Sequence, residues 1–172
     1  MIFRETSESM DPLDMAEQIA INHQWAHERS DDYRLVISRT GLWTSYAVLV
    51  EDEEDRLRFK CAFEFTCPDF AEFELYRLLN LLNGSISPGA LWYAKEGACI
   101  EYRTDLDFSD MRPISSEEIE RCIEAMVATL EQFYPCVQSI AAINAEATEG
   151  SYPGLTAEEV LEQTVPPARG RS

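Results

Sequence analysis

The spacing of apolar and polar residues changes period along the chain, and its clearest stretch lies near the middle. Leu57, Phe59, Cys61, Phe63 and Phe65 alternate with Arg56, Arg58, Lys60, Ala62 and Glu64. Successive strand side chains point to opposite faces, so this period of two predicts a strand with one dry face. A helix would space its apolar residues three and four apart. Shorter alternations come before it. Trp25 and His27 alternate with Ala26 and Glu28, Ser30-Asp31-Asp32 supplies a turn, and Tyr33, Leu35 and Ile37 alternate with Arg34 and Ser38. Gly41 permits the next turn, and residues 43–50 are apolar enough to predict a strand covered on much of both faces. The acidic run Glu51-Asp52-Glu53-Glu54-Asp55 then reads as a solvated hairpin tip.

Helical spacing brackets these strands. Asp11 as N-cap, Pro12 at the first helical position and the acids Asp14 and Glu17 open a helix over 11–22. Pro68-Asp69 ends the sheet run and caps a second helix, with Glu72 placed to complete a capping box. Its apolar residues, from Phe70, Phe73 and Tyr76 to Leu82, cover more than one face, which predicts burial on most sides. Asn83-Gly84 reads as a left-handed stop, and Pro88-Gly89 leads into a hairpin of 90–94 and 99–106 turning at Glu96-Gly97. Ser115 and Glu118 form a second capping box. They start the longest helix, whose stripe runs from Ile119 and Ile123 to Leu130 and Phe133, with Glu117, Glu118, Glu120, Glu124 and Glu131 opposite. Pro135 should kink or break it after Phe133, with helix resuming to Ala147, and Thr156 with Glu159 caps a short helix over 156–165. The order is helix, four short strands, helix, hairpin, long helix. It predicts an α+β fold, a mostly antiparallel sheet with helices on one side. A frayed segment 1–10, one domain 11–147 and an extension 148–172 complete the organisation.

Composition narrows the function. Against 14 basic residues stand 32 acidic ones, a net charge of −18 on 172 residues, which speaks against nucleic acid and anionic membranes as partners. Apolar residues make up 45%, enough to build a core despite that charge. No apolar run approaches the roughly 18–20 residues that span a bilayer. The opening MIFRETSESMDPLD lacks the basic start and apolar middle of a secretory signal, so a cytoplasmic location is expected. Five cysteines, Cys61, Cys67, Cys99, Cys122 and Cys136, form no CxxC and are expected as packed thiols, with Cys67 at a strand-to-helix corner the most exposed.

Candidate chemistry is thin. His23 and His27 are four apart, but Gln24-Trp25-Ala26 between them supplies no metalloprotease pattern, and the helix should end before His27. Neither residues 51–55 nor Asp105, Asp107 and Asp110 follow a calcium-loop register. GxSxG, GxGxxG and P-loop patterns are missing, so no catalytic, cofactor-binding or metal residue is assigned and no cofactor is expected. What remains is surface. Arg56, Arg58 and Lys60 form a cationic row that either pairs with neighbouring strands or meets acids on a partner. Trp43 and Tyr46, like Trp92 and Tyr93, should face opposite sides of their strands, bringing one of each pair toward the less covered face. Trp43, Tyr46, Arg56, Arg58, Lys60 and Trp92 are therefore the expected partner or dimer surface.

Several segments carry a family resemblance: DPLD at 11–14, GLWTSY at 41–46, LRFKCAFEF at 57–65, LYRLLNLLNGSISPGALWY at 75–93 and EQFYPCVQSIA at 131–141. In this order, over about 11–145, the chain resembles the YbjN family of bacterial sensory-transduction regulators. The resemblance implies a fold like that of type III secretion chaperones, in the order α-β-β-β-α-β-β-α, with three strands where the residue pattern gives four. It also implies a small, often dimeric scaffold of the bacterial cytoplasm that binds protein or peptide and catalyses nothing. The expected function is thus a non-catalytic protein-binding module, chaperone-like or regulatory and homodimeric. The alternative is a small-molecule sensor with a pocket between sheet and long helix; an uncharacterised enzyme comes third.

Overall fold

The computed structural model describes residues 10–109 and 111–149, with side chains to residue 142. The helix expected over 156–165, Asp110, and nearly all of the segments 1–10 and 148–172 lie outside the described residues. Helix α1 (Pro12–Asn22) is capped as expected, Asp11 Oδ1 accepting from the backbone N–H groups of Leu13 and Asp14. Four strands follow: β1 (His27–Asp31), β2 (Arg34–Thr40), β3 (Ser45–Glu53) and β4 (Arg56–Glu64). A single 3₁₀ turn (Asp69–Ala71) enters α2 (Glu72–Asn83), then β5 (Ala90–Ala94) and β6 (Cys99–Asp107) form the second hairpin, and α3 (Ser116–Glu149) closes the described chain. All six strands are antiparallel in the order β1-β2-β3-β4-β6-β5. The chain leaves β4 through α2, starts β5 at the far edge and returns with β6 beside β4.

One face of the sheet is dry. Leu35, Ile37, Val48, Val50, Leu57, Phe59, Cys61, Ile100 and Tyr102 project from it, all buried. They pack on Leu13, Ala16 and Ile19 of α1, on Leu75, Leu78 and Leu82 of α2, and on Ile119, Ile123, Met126, Leu130 and Val137 of α3. The opposite face carries the polar half of each alternation. It includes β3, where Ala47 is exposed, so the expectation of a strand covered on both faces is corrected to cover on one.

Three helix-end expectations also change. Asp69 and Glu72 form no capping box: Pro68 and Ala71 occupy the cap positions without side-chain bonds, and Lys95 Nζ meets both Asp69 and Glu72 instead. Gly84 is right-handed (φ −64°), so Asn83-Gly84 is not a left-handed stop; among the described residues the glycine with positive φ is Gly89, at +90°. Pro135 does not end the long helix, which runs through it. Proline removes the N–H that would bond the carbonyl four residues back, at a cost of about 3 kcal/mol. Buried Phe133, Cys136, Val137 and Ile140 on both sides of it hold α3 to the core regardless. The Ser115–Glu118 capping box forms reciprocally, Glu118 N–H donating to Ser115 Oγ and Ser115 N–H to Glu118 Oε2.

Candidate functional site

The uncovered face of the sheet holds four of the six residues expected at a partner surface. Register places Glu51 opposite Arg58, Glu53 opposite Arg56, and Arg58 opposite Asp105. The cations are drawn into this ladder: Arg58 Nη1 lies 2.6 Å from Glu53, Arg56 Nε 3.1 Å from Asp55, and Lys60 Nζ 2.9 Å from Glu51. Both Arg56 and Arg58 also reach Asp105 at 3.5 Å. The acidic run is accordingly no free tip. Glu51, Asp52 and Glu53 belong to β3, leaving Glu54 and Asp55 for the turn. The hydrogen bond from Lys60 is the chief cause that holds the Glu51 carboxyl below its ordinary range. Burial pushes the Asp52 carboxyl the other way. Trp92 stands at the β5 edge of this face with 53% of its surface exposed, while Tyr93 turns inward against Phe65 and Tyr76.

Trp43 and Tyr46 sit elsewhere. Trp43 precedes β3, in the turn after β2, so strand alternation does not govern it, and its ring stacks on Tyr134 of α3 at 6.2 Å. Tyr46 is 2% exposed, which corrects its place on a partner surface to one in the core. Both are organised by Glu131. Its carboxylate accepts from the Leu42 N–H at 3.0 Å, the Trp43 N–H at 3.4 Å and the Tyr46 hydroxyl at 2.6 Å. A Cβ at Gly41 would collide with Glu131 Oε1 and with the Tyr46 ring, so only glycine fits there. The segments 41–46 and 131–134 are thus each other's partners. Further acids on the same helix do similar work. Glu120 bonds His23 at 2.7 Å, and Glu124 accepts from both Nη atoms of Arg39, whose Cζ lies 3.8 Å from the centroid of the Trp25 ring. This flank of α3 clamps α1 and the β2–β3 turn and is not simply solvated.

Sequence reasoning missed an exposed aromatic surface. Far from being buried on most sides, α2 and its lead-in turn present Phe70, Phe73 and Tyr76, exposed by 50%, 70% and 47%, with Leu81 farther along. The signal was there in the spacing, since Phe70, Phe73 and Tyr76 fall three apart, one helical flank, while Leu75, Leu78, Leu79 and Leu82 form the buried one. The acids around the strip are paired: Glu72 with Lys95 at 2.6 Å and Glu74 with Arg77 at 3.4 Å. At the strip's end Asn83 grips β5, accepting from the Leu91 N–H at 2.7 Å and donating to the Leu91 carbonyl at 3.0 Å.

The two histidines and the cysteines of the described residues are held by structural partners. His23 engages Glu120 and stacks on Trp25, whereas His27 Nδ1 lies against the Trp25 carbonyl, so the two imidazoles are committed to different partners. Among the described residues no group of three or more His, Cys, Asp or Glu is placed to hold a metal ion. Cys67, expected as the exposed thiol, is buried, and burial pushes it up to about 11; Cys61 and Cys122 are pushed to about 12 by the same cause. None is a thiolate nucleophile at neutral pH. A cavity of about 290 Å³ does lie between β6 and α3, lined by Tyr102, Thr104, Leu106, Cys122, Ala125 and Met126. No helix of the described residues is long and apolar enough to cross a membrane.

The YbjN family model, "Putative bacterial sensory transduction regulator", matches residues 12–139. Among solved structures, the chain is similar to YbjN from E. coli, titled "a putative transcription regulator". The TM-score is 0.51 at 14% identity, with 79% of this chain and 93% of that one covered. At that identity the likeness is one of fold. No curated protein matches the sequence.

Proposed function

Because the chain belongs to the YbjN family, we propose that it is a regulatory, non-catalytic module of the bacterial cytoplasm that acts by binding polypeptide, a second copy of itself first. The observation that carries this reading is the Phe70–Phe73–Tyr76 strip. Large aromatics left 47–70% exposed cost free energy that burial against a partner recovers, at roughly 25 cal/mol per Å². Aromatic clusters of this kind anchor interfaces. Charge supports the location. Copies carrying −18 repel one another over most of their surfaces. Around this strip, however, Lys95 and Arg77 pair with Asp69, Glu72 and Glu74 and cancel two of those three negative charges.

Sedimentation equilibrium over a micromolar concentration series tests the proposal. The wild-type chain should dimerise and Phe73→Asp should remain monomeric with unchanged far-UV circular dichroism. Monomer at every concentration in both proteins would remove the self-association. A second reading, a small-molecule sensor, is favoured by the apolar cavity between β6 and α3. Native mass spectrometry separates the two: a retained small molecule speaks for the sensor, a co-purifying polypeptide for the module.

A further inference from the structure

The uncovered sheet face contains a cleft that the ion-pair ladder does not use up. Its volume is about 590 Å³, and its lining includes Arg58, Lys60, Arg103, Trp92 and Asp105, with Pro88-Gly89 as one wall. That is three cations against one carboxylate, in a chain where acids outnumber bases by more than two to one. Register sets Lys60 directly opposite Arg103 on the adjacent strand. Like charges directly across a ladder are destabilising, an arrangement the rest of this sheet avoids by placing Arg34 opposite Glu51 and Arg58 opposite Asp105. The carboxylates that offset the two cations lie outside the cleft lining: Glu51 on β3 for Lys60, and Glu101, 2.7 Å from Arg103 Nε, for Arg103. An ammonium has three donors and a guanidinium five, so each retains donors after that single partner. Beside them stands the half-exposed Trp92 ring, with the Arg103 guanidinium 5.4 Å from its centroid. Gly89, at positive φ, brings the backbone so close to the Arg103 carbonyl that no side chain could sit there, which keeps this wall low.

We propose that this cleft binds a small aromatic anion, its ring against Trp92 and its charged group between Lys60 and Arg103. Cations that repel one another across a ladder are stabilised by an anion shared between them. An exposed indole offers a π-face to a planar ring. The volume is that of ligand sites in general. The site lies on the face of β6 opposite the cavity under α3, and it stands or falls independently of what the α2 strip binds.

The test is a titration followed by the indole N–H resonances of Trp25, Trp43 and Trp92, each assigned by its Trp→Phe variant. The probes are adenosine monophosphate, salicylate and naphthalene-2-sulfonate at low millimolar concentration, with adenosine and benzamide as uncharged controls. At least one anion should move the Trp92 resonance while Trp25 and Trp43 stay still, with affinity falling as salt is raised. The uncharged controls should not act. Lys60→Ala and Arg103→Ala should each weaken binding roughly tenfold, the size of one lost charge-assisted contact. The proposal is overturned if no anion of the panel moves Trp92, if the uncharged controls bind equally, or if binding is indifferent to both substitutions. Salt dependence of the wild-type protein decides the matter should either variant fail to fold.

Discussion

Glu131 shows how much one side chain can organise. Its carboxylate satisfies two backbone N–H groups of the β2–β3 turn and the Tyr46 hydroxyl, and it occupies the space a Gly41 side chain would need. Glu131→Ala should cost about 2–4 kcal/mol, since three donors lose a charged acceptor. The same substitution should red-shift the Trp43 emission as its stack on Tyr134 loosens. Gly41→Ala should be destabilising in the wild-type background and only partly relieved by Glu131→Ala, because the buried Tyr46 ring still stands in the way of the new Cβ, a coupling that a denaturant double-mutant cycle measures directly. Two neighbouring acids on β3 titrate in opposite senses. The Glu51 carboxyl is lowered in the folded state, chiefly by Lys60, so its contribution is full above the ordinary carboxylate range and is lost as pH falls through the folded value. Asp52 is raised, chiefly by burial, so its ionisation opposes folding once pH rises through its folded value. Urea midpoints measured from acid to neutral pH should therefore fall at neutral pH for Glu51→Gln and rise there for Asp52→Asn.

At the scale of elements, the strand and helix periods were legible because each records one dry face. The alternation at 57–65, the Asp11 cap and the Ser115–Glu118 box all name their elements correctly, and the four strands before α2 follow from the residue pattern where the resemblance alone implies three. Misreadings cluster where a tertiary contact outweighs a local rule. Glu72 is in sequence position for a capping box, but Lys95, 23 residues on, takes its carboxylate. Pro135 should interrupt a helix, yet the core grips α3 on both sides of it. Pro135→Ala should consequently raise stability by about 1–3 kcal/mol, the local penalty that burial now overrides, read as a higher denaturation midpoint with an unchanged slope.

For the whole molecule, charge and topology say more than any motif. Among the described residues six strands and three helices account for the core, and the charged ladder on the other face uses most of the cationic row that the sequence singles out. Part of the candidate surface was legible, since Trp92 and the cations do lie on the uncovered face. The aromatic strip of α2 was not. Eight apolar residues on one short helix and its lead-in turn look buried unless one knows that the sheet edge ends at β5 and leaves that flank in water. The Phe70–Phe73–Tyr76 strip lies where Lys95 and Arg77 offset two of the three neighbouring acidic charges, as the proposed polypeptide-binding surface requires. Photo-crosslinking from position 73 in living cells asks that most directly, with benzoylphenylalanine in place of Phe73. A polypeptide-binding strip predicts discrete adducts, one of them at twice the chain's 19.6 kDa; benzoylphenylalanine that stays unreacted on a monomeric chain would contradict it.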